Sequence, residues 1–166
     1  MPPLHEDLRA ILASKAHELF GDYGVTCATT EAVPPGARQL CGILGFTGDR
    51  LCGSVIVAAT EDAIASSNPI GDGPTRGWVA ELTNQLVGRF KNALFRSGVE
   101  VAMSIPVVLT AVRLQPVLAA ELAPTQLAVG GGYVTLWLEI DAEPGLELTE
   151  PSPDAMIAAE GEAMLF

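Results

Sequence analysis

Over residues 75–97 apolar side chains return at three- and four-residue steps. Val79, Leu82, Leu86, Phe90 and Ala93 fall on one arc of a helical wheel. Pro74 precedes the stretch, and Gly98 with a β-branched run follows it, which predicts one long helix with a defined start and stop. An earlier stripe of Leu8, Ile11, Leu12, Ala16, Leu19 and Phe20 predicts a first helix over 4–20, ended by Gly21 and Gly24. Between the helices the period drops to two. Residues 38–46 and 51–60 flank Thr47-Gly48-Asp49-Arg50 and predict a β-hairpin. With its turn centred on Gly48-Asp49, one face carries Leu40, Leu44, Phe46, Leu51, Val55 and Val57, the expected core face. The other carries Cys41, Ile43, Gly45, Cys52, Ser54 and Ile56. It is apolar enough to meet another element or another subunit.

The remaining pattern is weaker. Residues 25–33 alternate as a strand before the turn Pro34-Pro35-Gly36, residues 61–65 suit one short helical turn, and 66–74 read as a loop. Residues 99–103 and 107–113 read as strands separated by Pro106, which has no place in a central ladder. Over 115–128 two readings stay open, a helical 118–122 and a strand edge at 126–129. Gly130-Gly131-Gly132 is a turn, and 133–140 is a strong final strand. These elements predict an α+β domain over 1–141, with two long helices packed on a mostly antiparallel sheet. From Glu139 onward there are eight acidic residues and no Lys or Arg, with Pro144, Pro151 and Pro153 interspersed. Residues 142–166 are therefore expected to form a loose acidic tail, with a short helix from Asp154.

Composition narrows the function classes. The chain has 166 residues, 49% of them hydrophobic, enough for one sizeable core. Nine Lys and Arg against twenty Asp and Glu give a formal net charge of −11. That balance argues against binding to nucleic acid or to an anionic membrane surface. The N-terminal Met-Pro-Pro-Leu-His-Glu-Asp lacks the pattern of a secretory signal, and no apolar run approaches the roughly 20 residues of a spanning helix. The expected location is cytoplasmic. Cys27, Cys41 and Cys52 form no Cys-x-x-Cys pair and read as reduced, packed thiols. His5 and His17 both lie on the first helix, so neither a metal site nor a bound cofactor is expected. Gly71-Asp72-Gly73 is not followed by Gly-Lys-Ser/Thr, and no Gly-x-Ser-x-Gly occurs.

The chemistry that remains lies on the long helix, opposite its apolar arc. Glu81, Asn84, Gly88, Lys91 and Phe95 share that side. Glu81 and Asn84 are one turn apart. Gly88, which costs about 1 kcal/mol against alanine in a helix interior, leaves room for another backbone to approach them. A carboxamide can hold a water by donating and accepting at once, without titrating. Hydrolysis of a phosphoryl group needs little beyond such a positioned water when another protein supplies the metal and the charge stabilisation.

The pattern Glu81-x-x-Asn84-x-x-x-Gly88, followed by a strand and Pro106, resembles the signature of the CheC/CheX-type chemotaxis phosphatases. The hairpin around Cys41-Gly-Ile-Leu-Gly-Phe-Thr-Gly-Asp-Arg-Leu-Cys-Gly-Ser-Val55 is similar to the segment before that helix in CheX-like domains. The resemblance spans roughly residues 4 to 141. It departs in two places: Gly77 stands where the family usually has Asp or Ser, and the Asn-to-Pro spacing is about one residue short. One motif rather than two points towards CheX and away from CheC. The resemblance implies a phosphatase acting on the aspartyl phosphate of a CheY-like receiver domain. Asn84 would orient the attacking water and Glu81 would pair with the partner's lysine, while Gly88, Lys91 and Phe95 would dock against the partner. Mg²⁺ would sit on the phosphorylated partner, and the protein would pair as a homodimer through its sheet. The alternative is a non-catalytic docking module that binds a receiver domain or flagellar-switch component.

Overall fold

The computed structural model describes residues 3–31, 33–34, 38–71, 75–112, 114–118 and 123–152. The elements run α1 (Pro3–Asp22), β1 (Cys27–Thr29), β2 (Gln39–Thr47), β3 (Leu51–Thr60), α2 (Glu61–Ser67) and α3 (Thr75–Arg96). β4 (Ala102–Met103), β5 (Val107–Ala111), β6 (Thr125–Val129) and β7 (Gly132–Ala142) follow. The seven strands form one antiparallel sheet in the order β1-β6-β7-β3-β2-β4, with β5 also on the free side of β2. The fold is α+β, with two long helices and the sheet sharing one core, as the periodicities predict.

Both long helices stop by the same device. Val25 N–H bonds to Phe20 C=O and Gly24 N–H to Gly21 C=O, with Gly24 at φ +70°. At the end of α3, Val99 N–H bonds to Leu94 C=O and Gly98 N–H to Phe95 C=O, with Gly98 at φ +81°. In each case a glycine takes the left-handed position that satisfies the last carbonyls.

The core face of the hairpin is the one expected: Leu40, Leu44, Phe46, Leu51, Val55 and Val57 are all buried. The turn is centred one residue later than expected, because Thr47 pairs with Cys52. That moves the register by two residues, so the faces are preserved. Gly48 serves a different end here. A Cβ on it would overlap the Glu100 carbonyl, where the chain leaving α3 crosses the hairpin. Residues 99–101 are therefore outside the ladder, with Val99 and Val101 buried against the core, and the strand expected over 99–103 shortens to Ala102–Met103. After Met103 the regular ladder is interrupted at Ser104, whose N–H still bonds to Gly45 C=O and whose hydroxyl accepts from Gly45 N–H at 3.1 Å, and pairing resumes beyond Pro106.

Cys41 lies on the opposite face and is fully buried, so it is a packed thiol and adds nothing to the surface that face offers to another subunit. Its short side chain sits mid-ladder between Ala58 and Leu109. Burial raises its thiol pKa to about 11, and that of Cys27 likewise. Ile43 and Ile56 remain partly open to solvent.

Other boundaries moved with packing. The strand expected over 25–33 is only Cys27–Thr29, the turn expected at 61–65 extends to a helix ending at Ser67, and the final strand runs on to Ala142. Of the two readings of 115–128, the strand at its end is present as β6, and the helix at 118–122 lies largely outside the described residues. The segment after β7 is not loose as far as Ser152. Leu146 is buried in the core, Thr149 N–H bonds to Ser97 C=O, and Ser152 N–H bonds to Arg96 C=O. The short helix expected from Asp154 lies outside the described residues. No described helix is long and apolar enough to cross a membrane.

Candidate functional site

α3 is held onto the sheet by a close approach and an aromatic contact. Gly42 of β2 faces Thr83, and a Cβ at Gly42 would overlap the Thr83 side chain, so glycine is what lets the helix lie this near the strand. Thr83 is fully buried, and its hydroxyl donates to Val79 C=O at 2.8 Å, the usual way a helix hides a threonine hydroxyl. Two turns on, Phe90 meets Phe46 of β2 edge to face, with ring centroids 5.8 Å apart. Trp78, Val87 and Leu94 are buried as well, so the apolar arc is wider than the five positions read from the sequence. Ala93, expected within it, is only partly buried.

With that face committed to the core, Glu81, Asn84 and Phe95 are exposed, and Gly88 and Lys91 are partly so. At about 1.5 Å rise per residue the stripe runs roughly 21 Å from Glu81 to Phe95. A Cβ at Gly88 would meet nothing within 4 Å, so the surface beside Asn84 is open. No hydrogen bond ties the Asn84 side chain to another described residue. Glu81 is different. Its Oε1 accepts from Gln85 Nε2 at 2.7 Å, and Gln85 Oε1 accepts in turn from the Tyr23 hydroxyl at 2.8 Å. Glu81 and Asn84 thus share one accessible face, one tethered and the other free to bind water.

Upstream of Glu81, an open groove of about 590 Å³ lies between α3 and β5, lined by Arg76, Gly77, Ala80, Pro106, Val107 and Val108. Gly77 falls within the first turn of α3, and a Cβ on it would meet open space. Glycine there costs helix propensity without being needed for fit. α3 nevertheless begins at Thr75, because Trp78 and Val79 anchor its first turn in the core.

The histidines stand elsewhere. His17 lies 3.4 Å from the Thr29 hydroxyl, and His5 lines a small crevice with Arg9 and Leu12. Among the described residues, no three of His, Cys, Asp and Glu gather closely enough to hold a metal ion. Tyr23 and Gln85 were not singled out by the sequence. The i,i+4 spacing of Glu81 and Gln85 was the one available signal, while Tyr23 is 62 residues from Gln85.

No family model matches the chain, and no curated protein matches its sequence. Solved structures do match. The chemotaxis protein CheX from Vibrio vulnificus superposes with a TM-score of 0.67 at 20% identity, over 79% of this chain and 93% of that one. The fold is that of the CheX/CheC-like chemotaxis proteins. A CheC-like superfamily protein from Shewanella sp. PV-4 matches with a TM-score of 0.60 at 17% identity, over 82% and 98% of the two chains. The CheX–CheY–BeF₃–Mg²⁺ complex from Borrelia burgdorferi matches with a TM-score of 0.55 at 14% identity, over 79% and 96%. The CheX-like architecture therefore accounts for most of the described chain.

Proposed function

We propose that this protein is a phosphatase for the aspartyl phosphate of a CheY-like receiver domain, with α3 docking at the receiver's phosphorylation site. The observation that carries this reading is the exposed Glu81/Asn84 pair on the long helix of a CheX-like fold, with open surface at Gly88. A CheX in complex with CheY and BeF₃–Mg²⁺ is among the similar structures, which supports a receiver domain as the partner class. In this reading the partner supplies the aspartyl phosphate and the Mg²⁺. Asn84 orients the attacking water through its amide, donating and accepting without a change of protonation. Glu81 pairs with the receiver's active-site lysine, and Lys91 and Phe95 extend the contact along the helix. No cofactor is required of this chain.

The test uses a receiver domain from the same cell, phosphorylated with acetyl phosphate. Wild-type protein should speed the loss of phosphate, and the effect should require Mg²⁺. Glu81→Ala should weaken the complex by about 1–3 kcal/mol, the range for a charge-assisted contact, and slow hydrolysis most at low protein concentration. Binding without any acceleration would favour the docking module over the enzyme.

The sheet's second face supports assembly as a homodimer. Trp137 pairs with Ile56, Ile56 with Ile43, and Ile43 with Val107, which places four large apolar residues in one row across β7, β3, β2 and β5. Val107 is 60% exposed. A self-complementary row of this kind suits a two-fold interface. Light scattering at micromolar concentration should give a dimer, and Ile43→Glu should give a monomer. A wild-type monomer would remove the assembly from the reading.

A further inference from the structure

We infer that Tyr23 and Gln85 are positioning residues for Glu81, holding its carboxylate in the docking geometry before a partner arrives. This inference rests on the reading of Glu81 as the residue that meets a cationic group of the partner.

A glutamate on an exposed helix face rotates about three side-chain bonds, and ordering it on binding costs affinity. An i,i+4 Gln–Glu contact at the surface is weak by itself. Here it is backed from behind. Gln85 is half-buried, and its amide is held at both ends, by Tyr23 Oη at 2.8 Å and by Glu81 Oε1 at 2.7 Å. The polarity of the chain is dictated by its last member. An ionised carboxylate can only accept, so Gln85 must turn its NH₂ towards Glu81 and leave its carbonyl for the tyrosine proton. The arrangement uses Glu81 Oε1 and leaves Oε2 for a partner.

Tyr23 is itself fixed. Its ring meets Trp78 edge-on, with centroids 5.0 Å apart and planes at 89°, and the Trp78 indole N–H donates to Ser67 Oγ at 3.2 Å. Tyr23 directly follows α1, at the turn closed by Gly24, and Asp22 beside it pairs with Arg89 of α3 at 2.8 Å. The hydroxyl that orders Glu81 is therefore set by the packing of all three helices. A loop side chain with this hydroxyl merely in solvent would give no such order.

The experiment separates positioning from stapling. Tyr23→Phe keeps the ring against Trp78 and removes only the hydroxyl, and Gln85→Met keeps length and helix propensity. Each should raise the apparent KM for the phosphorylated receiver domain about two- to tenfold with kcat nearly unchanged. In a Glu81→Ala background neither should add a further effect, because both act through that carboxylate. Unchanged KM values, or losses that persist without Glu81, would overturn the inference. A readout free of the partner accompanies this: ¹⁵N relaxation of the Gln85 side-chain amide should report an ordered group in the wild type and a mobile one in Tyr23→Phe and Glu81→Ala. An amide equally mobile in all three overturns the inference even if the phosphatase reading holds. An ordered amide in a protein that neither binds nor dephosphorylates any receiver overturns the phosphatase reading, and the positioning role with it.

Discussion

Asn84→Ala is expected to abolish the proposed acceleration of receiver dephosphorylation, with kcat falling about a hundredfold or more, while affinity stays close to that of the wild type. The asymmetry follows from what the amide is asked to do. A water held in line with the phosphorus–oxygen bond matters in the transition state, and a misplacement of about 1 Å costs on the order of 10² in rate. Asn84 makes no hydrogen bond to another described residue, so its removal disturbs no internal network. Its neighbours in the core, Thr83 and Val87, stay buried and keep the helix in place. The measurement pairs phosphate release with affinity for the BeF₃-activated receiver. A variant with full activity would sink the water-orienting role. A variant that no longer binds would recast Asn84 as a docking residue. Set beside Glu81→Ala, for which affinity should fall, the two substitutions divide one face of one helix into a chemical part and a binding part.

The largest effect on stability is expected at Phe90. Phe90→Ala should destabilise the fold by about 3–5 kcal/mol, the range for truncating a buried aromatic. At about 2–4 °C per kcal/mol for a chain of this size, the midpoint of a thermal melt should drop by roughly 6–20 °C. Phe90 is fully buried and stacks edge to face on Phe46, two turns of α3 beyond the point where Gly42 admits Thr83. The rest of the core cannot close the space cheaply, since the helix is already as near to β2 as a glycine allows. A loss under about 3 °C would mean that the site can collapse. Partial loosening of α3 should also lower the proposed phosphatase activity, because the same helix carries Glu81 and Asn84 on its other side.

Periodicity was enough to read the large elements of this protein. The stripes ending at Phe20 and Ala93 became α1 and α3, because a helix must bury one side and its apolar residues record which side that is. The same record left Glu81, Asn84, Gly88, Lys91 and Phe95 on the accessible side of α3. The hairpin's faces were legible for a related reason: alternation fixes parity, and parity survived a turn centred one residue later than expected. What the pattern left open depends on contacts between distant parts of the chain. Gly48 reads as a turn residue, yet its role is to pass under Glu100. Cys41 alternates outward and is still buried, mid-ladder between Ala58 and Leu109, the second on a strand whose pairing the local pattern does not give. Leu146 lies in an acidic, proline-containing stretch that looks unstructured, yet it is buried in the core. Thr149 and Ser152 just beyond it bond back to Ser97 and Arg96 at the end of α3. The tether behind Glu81 belongs to the same class. Tyr23 and Gln85 are ordinary residues in their own segments, and the geometry that joins them comes from α1 crossing α3, which no local spacing encodes.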